Sequence, residues 1–102
     1  MENNIQVRKK CICKIREIAD EVFLIPIHDN SVKTENLYKI NSTGVFIWSL
    51  LENNESVTQS DIIKEFVKAF SIDEATARDD VYDFLNTLFT ENLIEMINCG
   101  KD

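Results

Sequence analysis

The sequence predicts an α+β domain in which a three-stranded antiparallel sheet is followed by three helices. Residues 11–18 alternate with a period of two, and residues 21–28 and 37–40 are short, largely apolar runs, which is typical of strands. Between positions 42 and 92, apolar side chains recur every three or four residues, which is typical of helices. Strands and helices that are segregated along the chain indicate an α+β fold rather than an alternating α/β fold. A chain of 102 residues provides one domain with one modest core.

The first two predicted strands form a hairpin. Residues 11–18, CICKIREI, place alternate side chains on two faces, and residues 21–28, EVFLIPIH, follow after a turn at Ala19 and Asp20. Pro26 cannot donate to a neighbouring strand. We therefore expect its position to face solvent, a bulge or the end of the strand.

The third predicted strand, LYKI at residues 37–40, follows a polar loop at residues 29–36 and leads directly into a helix. Asn41 or Ser42 is the predicted N-cap, because a short polar side chain there accepts a hydrogen bond from the first turn. The helix is expected to end near Glu52. Apolar residues cover most of its circumference, which predicts burial on several sides.

Two further helices and a short strand complete the predicted fold. Thr58 and Asp61 have the spacing of a capping box at the start of the second helix. Asp73 is the predicted N-cap of the third helix, and Asn92 is expected to end it in a left-handed conformation. Residues 93–97 form a short final strand. A winged-helix-like arrangement is the simplest packing of these elements.

The predicted domain covers residues 11–97, between a flexible, basic N-terminal arm at residues 1–10 and a tail at residues 98–102. The N-terminus lacks the apolar stretch of a signal peptide, and no apolar run is long enough to cross a bilayer. We therefore expect a cytoplasmic protein.

The charge distribution argues against nucleic acid and membrane partners. Residues 42–102 contain four basic and twelve acidic side chains, a net charge of −8. The third predicted helix, which would contact the major groove in a winged-helix regulator, has six acidic residues and one basic residue between Asp73 and Asn92. Phosphates repel such a surface, so proteins or peptides are the expected partners. A DNA-binding winged-helix regulator remains the alternative.

Neither catalytic nor metal-binding motifs stand out. Cys11, Cys13, Cys99 and His28 supply the ligand types of a Cys₃His zinc site, but the C-x-C spacing is not that of structural zinc sites. The chain has one histidine and none of the motifs of hydrolases, metalloproteases, P-loop proteins or dinucleotide-binding proteins. We expect no catalysis, no cofactor and no bound metal.

The strand at residues 37–40 is a candidate binding edge. A sheet of two or three strands cannot close, so its outer strand exposes unpaired N–H and C=O groups. An extended peptide could pair with this edge while the third helix forms the wall of a groove. In the alternative interpretation the strand is covered, and Tyr38 and Lys39 are ordinary surface residues.

Three segments resemble the coenzyme PQQ synthesis protein D (PqqD) family. They are REIADEVFLIPI, LYKINSTGVFIWSLL and SVTQSDIIKEFVKAFSIDEATARDDVYDFLNTLFTENLIE, within about residues 14–95. The resemblance implies a winged-helix-like, non-catalytic protein that recognises the leader segment of a ribosomally made precursor peptide. It would present that peptide to a modifying enzyme, such as a radical SAM protein or a peptidase.

The resemblance also implies where the leader binds. The leader would lie between the third strand and the third helix, with the protein as a monomer or a strand-paired dimer. On this chain the implied peptide-binding residues are Leu37, Tyr38, Lys39, Ile40, Arg78, Asp80, Val81, Phe84, Leu85 and Leu88.

Overall fold

The structure, a computed structural model, describes residues 5–28, 31–32 and 37–98. Within these ranges the chain forms seven strands and three helices. In chain order these are β1 (Ile5–Lys9), β2 (Ile12–Ile18), β3 (Glu21–His28), β4 (Ser31–Val32), β5 (Tyr38–Ile40), α1 (Ser42–Asn53), β6 (Val57–Thr58), α2 (Gln59–Phe70), α3 (Glu74–Thr90) and β7 (Ile94–Asn98). The predicted α+β class and the three predicted helices are confirmed.

The predicted hairpin is formed by β2 and β3. The two strands pair antiparallel from Ile12 opposite Ile27 to Ile18 opposite Glu21. This register leaves a two-residue loop, Ala19 and Asp20, with φ angles of 53° and 68°. Positive φ at both positions is the property of a type I′ turn, whose twist matches that of the flanking strands.

Strand β5 pairs antiparallel with the other side of β3, which confirms the predicted three-stranded sheet. Val22 lies opposite Ile40, and Leu24 lies opposite Tyr38. The short strand β4 pairs with the end of β3 on the same side as β5. The sequence assigns β4 to a loop, so that part of the loop prediction is wrong. Residues 29–30 and 33–36 of the predicted loop lie outside the described residues.

Pro26 is buried, which excludes the solvent-facing position among the three that were expected, and it lies two residues before the end of β3. It lies opposite Cys13 of β2. On its other side, β5 pairs with β3 only up to Leu24, and β4 begins to pair at Ile27. The missing N–H of the proline is tolerated because Pro26 lies where the described partner strands are interrupted.

A second sheet contains a strand that the sequence analysis missed. Strand β1 lies between β6 and β7, with Ile5 opposite Asn98 and Lys9 opposite Ile94. Val7 is fully buried. The prediction of a flexible arm is therefore wrong for residues 5–9, while residues 1–4 lie outside the described residues. The predicted final strand is present as β7.

The three helices begin at the predicted caps. The side chains of Asn41, Thr58 and Asp73 each accept a 3.0 Å hydrogen bond from the backbone N–H three residues later. The structure selects Asn41 rather than Ser42 as the cap of α1. These bonds satisfy donors that the first turn of a helix cannot pair internally.

Helix α3 ends in a Schellman motif at the predicted residue. Asn92 is left-handed, with φ of 67°. Its N–H donates to the carbonyl of Phe89 at 3.0 Å, and the N–H of Leu93 donates to the carbonyl of Leu88 at 2.9 Å. Leu88 and Leu93 are both buried, which supplies the apolar contact usual in this motif.

The core is centred on α1, as its apolar circumference predicts. Ile47, Trp48 and Leu51 are fully buried. Helices α2 and α3 pack around them through a shared set of buried residues: Ile62, Ile63, Phe66, Ala77, Val81, Leu85 and Leu88. Because α1 directly follows β5, the core fixes the position of that strand. In the described part of the chain, no helix has the length and apolar character needed to cross a bilayer.

Candidate peptide-binding groove

A groove of about 290 Å³ runs between β5 and α3. This volume is at the lower end of the range for small-molecule pockets, which suits a few side chains better than a large cofactor. The strand side is lined by Tyr38, Lys39, Ile40, Asn41 and Thr43. The helix side is lined by Asp80, Asp83, Phe84, Thr87, Leu88 and Glu91.

The strand side of the groove carries an unpaired edge. Within residues 5–28, 31–32 and 37–98, β5 pairs with β3 and with no other strand. Successive N–H groups of an antiparallel strand point to opposite edges. One of the N–H groups of Tyr38 and Lys39 therefore points to β3, and the other points to the free edge. Such an edge can accept a further strand.

The side chains of β5 alternate between the two faces of the sheet. Tyr38 and Ile40 share the face of their partners Leu24 and Val22, and Leu24 is fully buried. Lys39 projects from the opposite face, where its amine lies 3.2 Å from a carboxylate oxygen of Glu21. The groove therefore receives the apolar face of β5, and Lys39, which also lines it, has its amine paired with Glu21.

At one end of the groove, a hydrogen bond connects the strand to the end of the helix. The hydroxyl of Tyr38 donates to a carboxylate oxygen of Glu91 at 3.0 Å. The pKa of Tyr38 is raised above its usual value by partial burial and by this contact with Glu91. Both effects favour the protonated phenol, which is the form that donates this hydrogen bond.

The middle of the groove depends on a glycine. A Cβ atom at Gly44 would lie 2.9 Å from Cβ of Ile40 and 2.9 Å from Cε1 of Phe84. Such distances are too short for carbon atoms, so only glycine allows α1, β5 and α3 to approach this closely. The close approach holds the ring of Phe84 beside β5.

The helix side of the groove is acidic. The side chains of Asp80, Asp83 and Glu91 are exposed and line it. Lys39 is the basic residue of the lining, and it is already paired with Glu21. The groove therefore combines an apolar middle with a negative potential.

The structure brings together six of the ten residues predicted for the site and leaves four outside the groove. Val81 and Leu85 are fully buried in the core. Arg78 forms a 2.6 Å ion pair with Glu74 one turn earlier on α3 and does not line the groove. Leu37 precedes β5, also outside the lining. The six that line the groove are Tyr38, Lys39, Ile40, Asp80, Phe84 and Leu88.

The sequence analysis missed three residues on the groove side of α3. Asp83, Thr87 and Glu91 continue the helical stripe that contains Asp80 and Phe84, at spacings of three and four residues. Extending that period along the predicted helix would have identified them. Val81 and Leu85 lie one residue beyond Asp80 and Phe84, which is enough to turn them into the core.

The cysteine pair at the start of β2 does not have the properties of a metal site. The thiols of Cys11 and Cys13 are 3.7 Å apart. Burial, followed by the neighbouring Cys11, raises the pKa of Cys13 far above its usual range, which favours the neutral thiol. Cys99 and the side chain of His28 lie outside the described residues. Among the residues that are described, no three His, Cys, Asp or Glu side chains form a possible metal site.

A known protein family matches the part of the chain that forms the groove. The model of the family described as coenzyme PQQ synthesis protein D (PqqD) matches residues 28–94, about two thirds of the chain. The chain belongs to the PqqD family. The match spans β5, α1, α2 and α3, which are the elements that form the groove of this PqqD-family protein.

A solved structure gives a similar result. The chain is similar to TbiB1, whose structure was solved in complex with the TbiA(beta) leader peptide. The two share 27% sequence identity with a TM-score of 0.63, and the alignment covers 93% of this chain and 99% of TbiB1. A comparison with curated proteins finds no match.

Proposed function

We propose that this PqqD-family protein binds the leader segment of a ribosomally made precursor peptide by strand addition to β5, and presents the peptide to a modifying enzyme. The observation that carries the proposal is the free edge of β5 beside the groove on α3. The similarity to TbiB1, solved with a leader peptide, supports it.

The geometry suits an extended guest. Main-chain groups of the guest would pair with the outward N–H and C=O groups of β5, which provides affinity without regard to sequence. Every second guest side chain would then enter the groove, because side chains alternate along a strand. The Asn41 cap and the contact between Gly44 and Phe84 fix β5 and α3 in advance. The loss of entropy on binding then falls mainly on the guest.

Holding a leader in this way increases the rate of a reaction that another protein performs. A bound leader tethers the adjoining core peptide near the partner, so the effective concentration of substrate is set by a short linker. The partner would be a radical SAM protein or a peptidase that contributes the catalytic residues. The proposal assigns no catalytic step to this chain.

The alternative of a DNA-binding regulator is not favoured. Helix α3 would have to enter the major groove, where side chains contact base edges and phosphates. Its exposed surface includes Asp79, Asp80 and Asp83, which phosphates repel. A gel-shift experiment with upstream DNA at low salt would detect such binding.

The proposal is tested by titrating the protein with the leader of a precursor encoded beside its gene. Fluorescence anisotropy should show saturable binding that a scrambled leader does not reproduce. In the ¹⁵N-labelled protein, one amide among Tyr38 and Lys39 should gain protection from hydrogen exchange when the leader binds. Saturable binding that leaves both amides unchanged would contradict strand addition.

Proline substitutions test the same edge by mutation. Tyr38→Pro and Lys39→Pro each remove one N–H, and only one of these donors faces the free edge. The variant with the smaller loss of melting temperature should therefore show the larger loss of leader affinity. Lys39→Thr is the control, because it removes the amine and retains the backbone donor. Equal affinity in both proline variants and the wild type would rule out pairing at β5.

A further inference from the structure

We infer that the groove selects a cationic guest: an extended segment with Lys or Arg at two inward-facing positions, four residues apart, and an apolar residue midway between them. This inference rests on the proposed function and adds the chemical class of the peptide. It is carried by the order of side chains along the groove face of α3.

The length of that face determines how much of a guest strand it contacts. Asp80 and Glu91 are eleven positions apart on α3, which corresponds to about 16 Å at 1.5 Å per helical residue. An extended guest advances about 3.3 Å per residue, so about five residues cover this length. Three of the five, at positions i, i+2 and i+4, would face the groove.

The groove face changes in character along its length. Asp80 and Asp83 lie at the end nearer the N-terminus of α3, Phe84 and Leu88 lie in the middle, and Glu91 lies at the other end. A guest strand laid along the groove would place its central inward side chain over the apolar pair and its outer ones beside carboxylates. The C-terminal end of a helix also carries partial negative charge, which adds to the attraction near Glu91.

The neighbouring basic residues do not neutralise these carboxylates. Lys39 is paired with Glu21 at 3.2 Å, and Arg78 is paired with Glu74 at 2.6 Å. In the described part of the chain, no ion pair involves Asp80 or Asp83. Glu91 accepts a hydrogen bond from the hydroxyl of Tyr38, a neutral donor that leaves its charge uncompensated.

Charge at these positions is expected to affect selectivity more than affinity. Exposed ion pairs are weak, and two of them together change an affinity by about threefold to tenfold. An acidic guest residue in the same place would be repelled, which increases the difference in affinity between guests of opposite charge. The effect should be largest at low salt, because added ions weaken the interaction between exposed charges. At 0.1 M salt this interaction decays over about 10 Å.

The inference is tested by selecting phage-displayed random twelve-residue peptides on the full-length protein. Selected peptides that protect a β5 amide from hydrogen exchange should be enriched in Lys or Arg at two positions four apart, with an apolar residue between. The best of these should bind the double variant Asp80→Asn/Asp83→Asn about threefold to fivefold more weakly at 50 mM salt, because two carboxylates that face one guest cation are removed while Glu91 is retained. The difference should shrink at 300 mM salt.

A control variant separates the groove charges from net charge. Glu55→Gln/Asp61→Asn changes the net charge by the same amount, and neither residue lines this groove or is adjacent in sequence to one that does. Its affinity should stay within about twofold of the wild type, since charges far from the guest are screened.

The failure of this inference can be distinguished from failure of the proposed function. Peptides that protect β5 without basic enrichment, or that bind the groove double variant as tightly as the wild type, would overturn the cationic preference and leave leader binding intact. If no selected peptide protects an amide of β5, both proposals are overturned.

Discussion

Gly44 and Phe84 are in contact at a distance that no other residue type at position 44 would permit. A Cβ atom there would lie 2.9 Å from Cε1 and 3.0 Å from Cζ of the ring. Gly44 lies in the first turn of α1, and glycine in a helix is less favourable than alanine by up to about 1 kcal/mol. Its presence in α1 is therefore explained by the packing of α3, and the groove depends on a residue that does not line it.

Gly44→Ala should destabilise the protein in spite of its better helix propensity. The added methyl group must displace the ring of Phe84, and overpacking of this kind costs about 1–3 kcal/mol, against a gain of about 1 kcal/mol from propensity. Urea unfolding followed by the fluorescence of Trp48, the single tryptophan, measures the difference. The exposed α1 substitution Glu52→Ala is the control.

The same variant should reduce leader affinity, because the displaced ring moves relative to β5. Combining Gly44→Ala with Phe84→Leu removes most of the clashing atoms, so the loss of stability in the double variant should be smaller than the sum of the two single losses. A Gly44→Ala protein that is more stable than the wild type would show that the ring is free to move.

Titration of Tyr38 tests its hydrogen bond to Glu91. The chain has two tyrosines, so a Tyr82→Phe background allows Tyr38 to be followed by its absorbance at alkaline pH. Its pKa should exceed the usual value of 10.0 because of partial burial and the contact with Glu91. Glu91→Gln should lower this pKa, although not fully, since burial remains. Unchanged titration in Glu91→Gln would exclude the hydrogen bond.

The sequence predicted those parts of the fold that depend on local interactions. The caps at Thr58 and Asp73 and the left-handed Asn92 follow from hydrogen bonds within a few residues, and all three are found as predicted. Strand β1 was missed because its pairing partner β7 lies about ninety residues later, and the apolar–polar alternation in IQVRK covers only four residues, from Ile5 to Arg8.

The lining of the groove was predicted only in part. The family resemblance pointed to β5 and α3, which both line the groove, but selecting individual residues required the rotation of α3 about its axis. Val81 and Leu85 face the core, while Asp83 and Glu91, which packing arguments alone do not select, face the groove. Gly44 could not be assigned from sequence, since its role depends on the approach of an element forty residues away.

Stability should decline at alkaline pH through Cys13. Burial, followed by the neighbouring Cys11, raises the pKa of this thiol in the folded protein, whereas the unfolded chain loses the proton near pH 9. The unfolded state then binds fewer protons than the folded state. The contribution to stability is therefore complete below pH 9 and is lost above it, by about 1.4 kcal/mol per pH unit.

Unfolding of the wild type and of Cys13→Ala between pH 7 and 10.5 measures how the free energy of unfolding changes with pH. This slope should be smaller in the variant. Equal slopes would contradict the assignment.

The turn between β2 and β3 offers a route to higher stability. Ala19 adopts a left-handed conformation with φ of 53°, which costs a residue with a Cβ roughly 1–2 kcal/mol. Replacing Ala19 and Asp20 by Asn and Gly, the preferred pair for a type I′ turn, should stabilise the fold by about 1 kcal/mol. Chemical denaturation provides the measurement. The reversed pair, Gly followed by Asn, serves as the control and should gain less. A loss of stability with Asn-Gly would exclude the type I′ geometry.

The outer edge of β2 should resist self-association through its charges. In the described chain this edge has no partner strand, and Ile12, Ile15 and Ile18 are exposed there. Two copies pairing antiparallel about Ile15 would place Lys14 directly opposite Arg16 twice, and like charges in that position are unfavourable.

The double variant Lys14→Thr/Arg16→Thr removes that repulsion and retains strand-forming residues. Sedimentation velocity over a concentration series should show a monomeric wild type and an associating variant. Lys64→Thr/Lys68→Thr, on exposed positions of α2, changes the net charge equally and should remain monomeric. A wild-type protein that already forms dimers, or a β2 variant that does not associate, would show that Lys14 and Arg16 do not protect this edge.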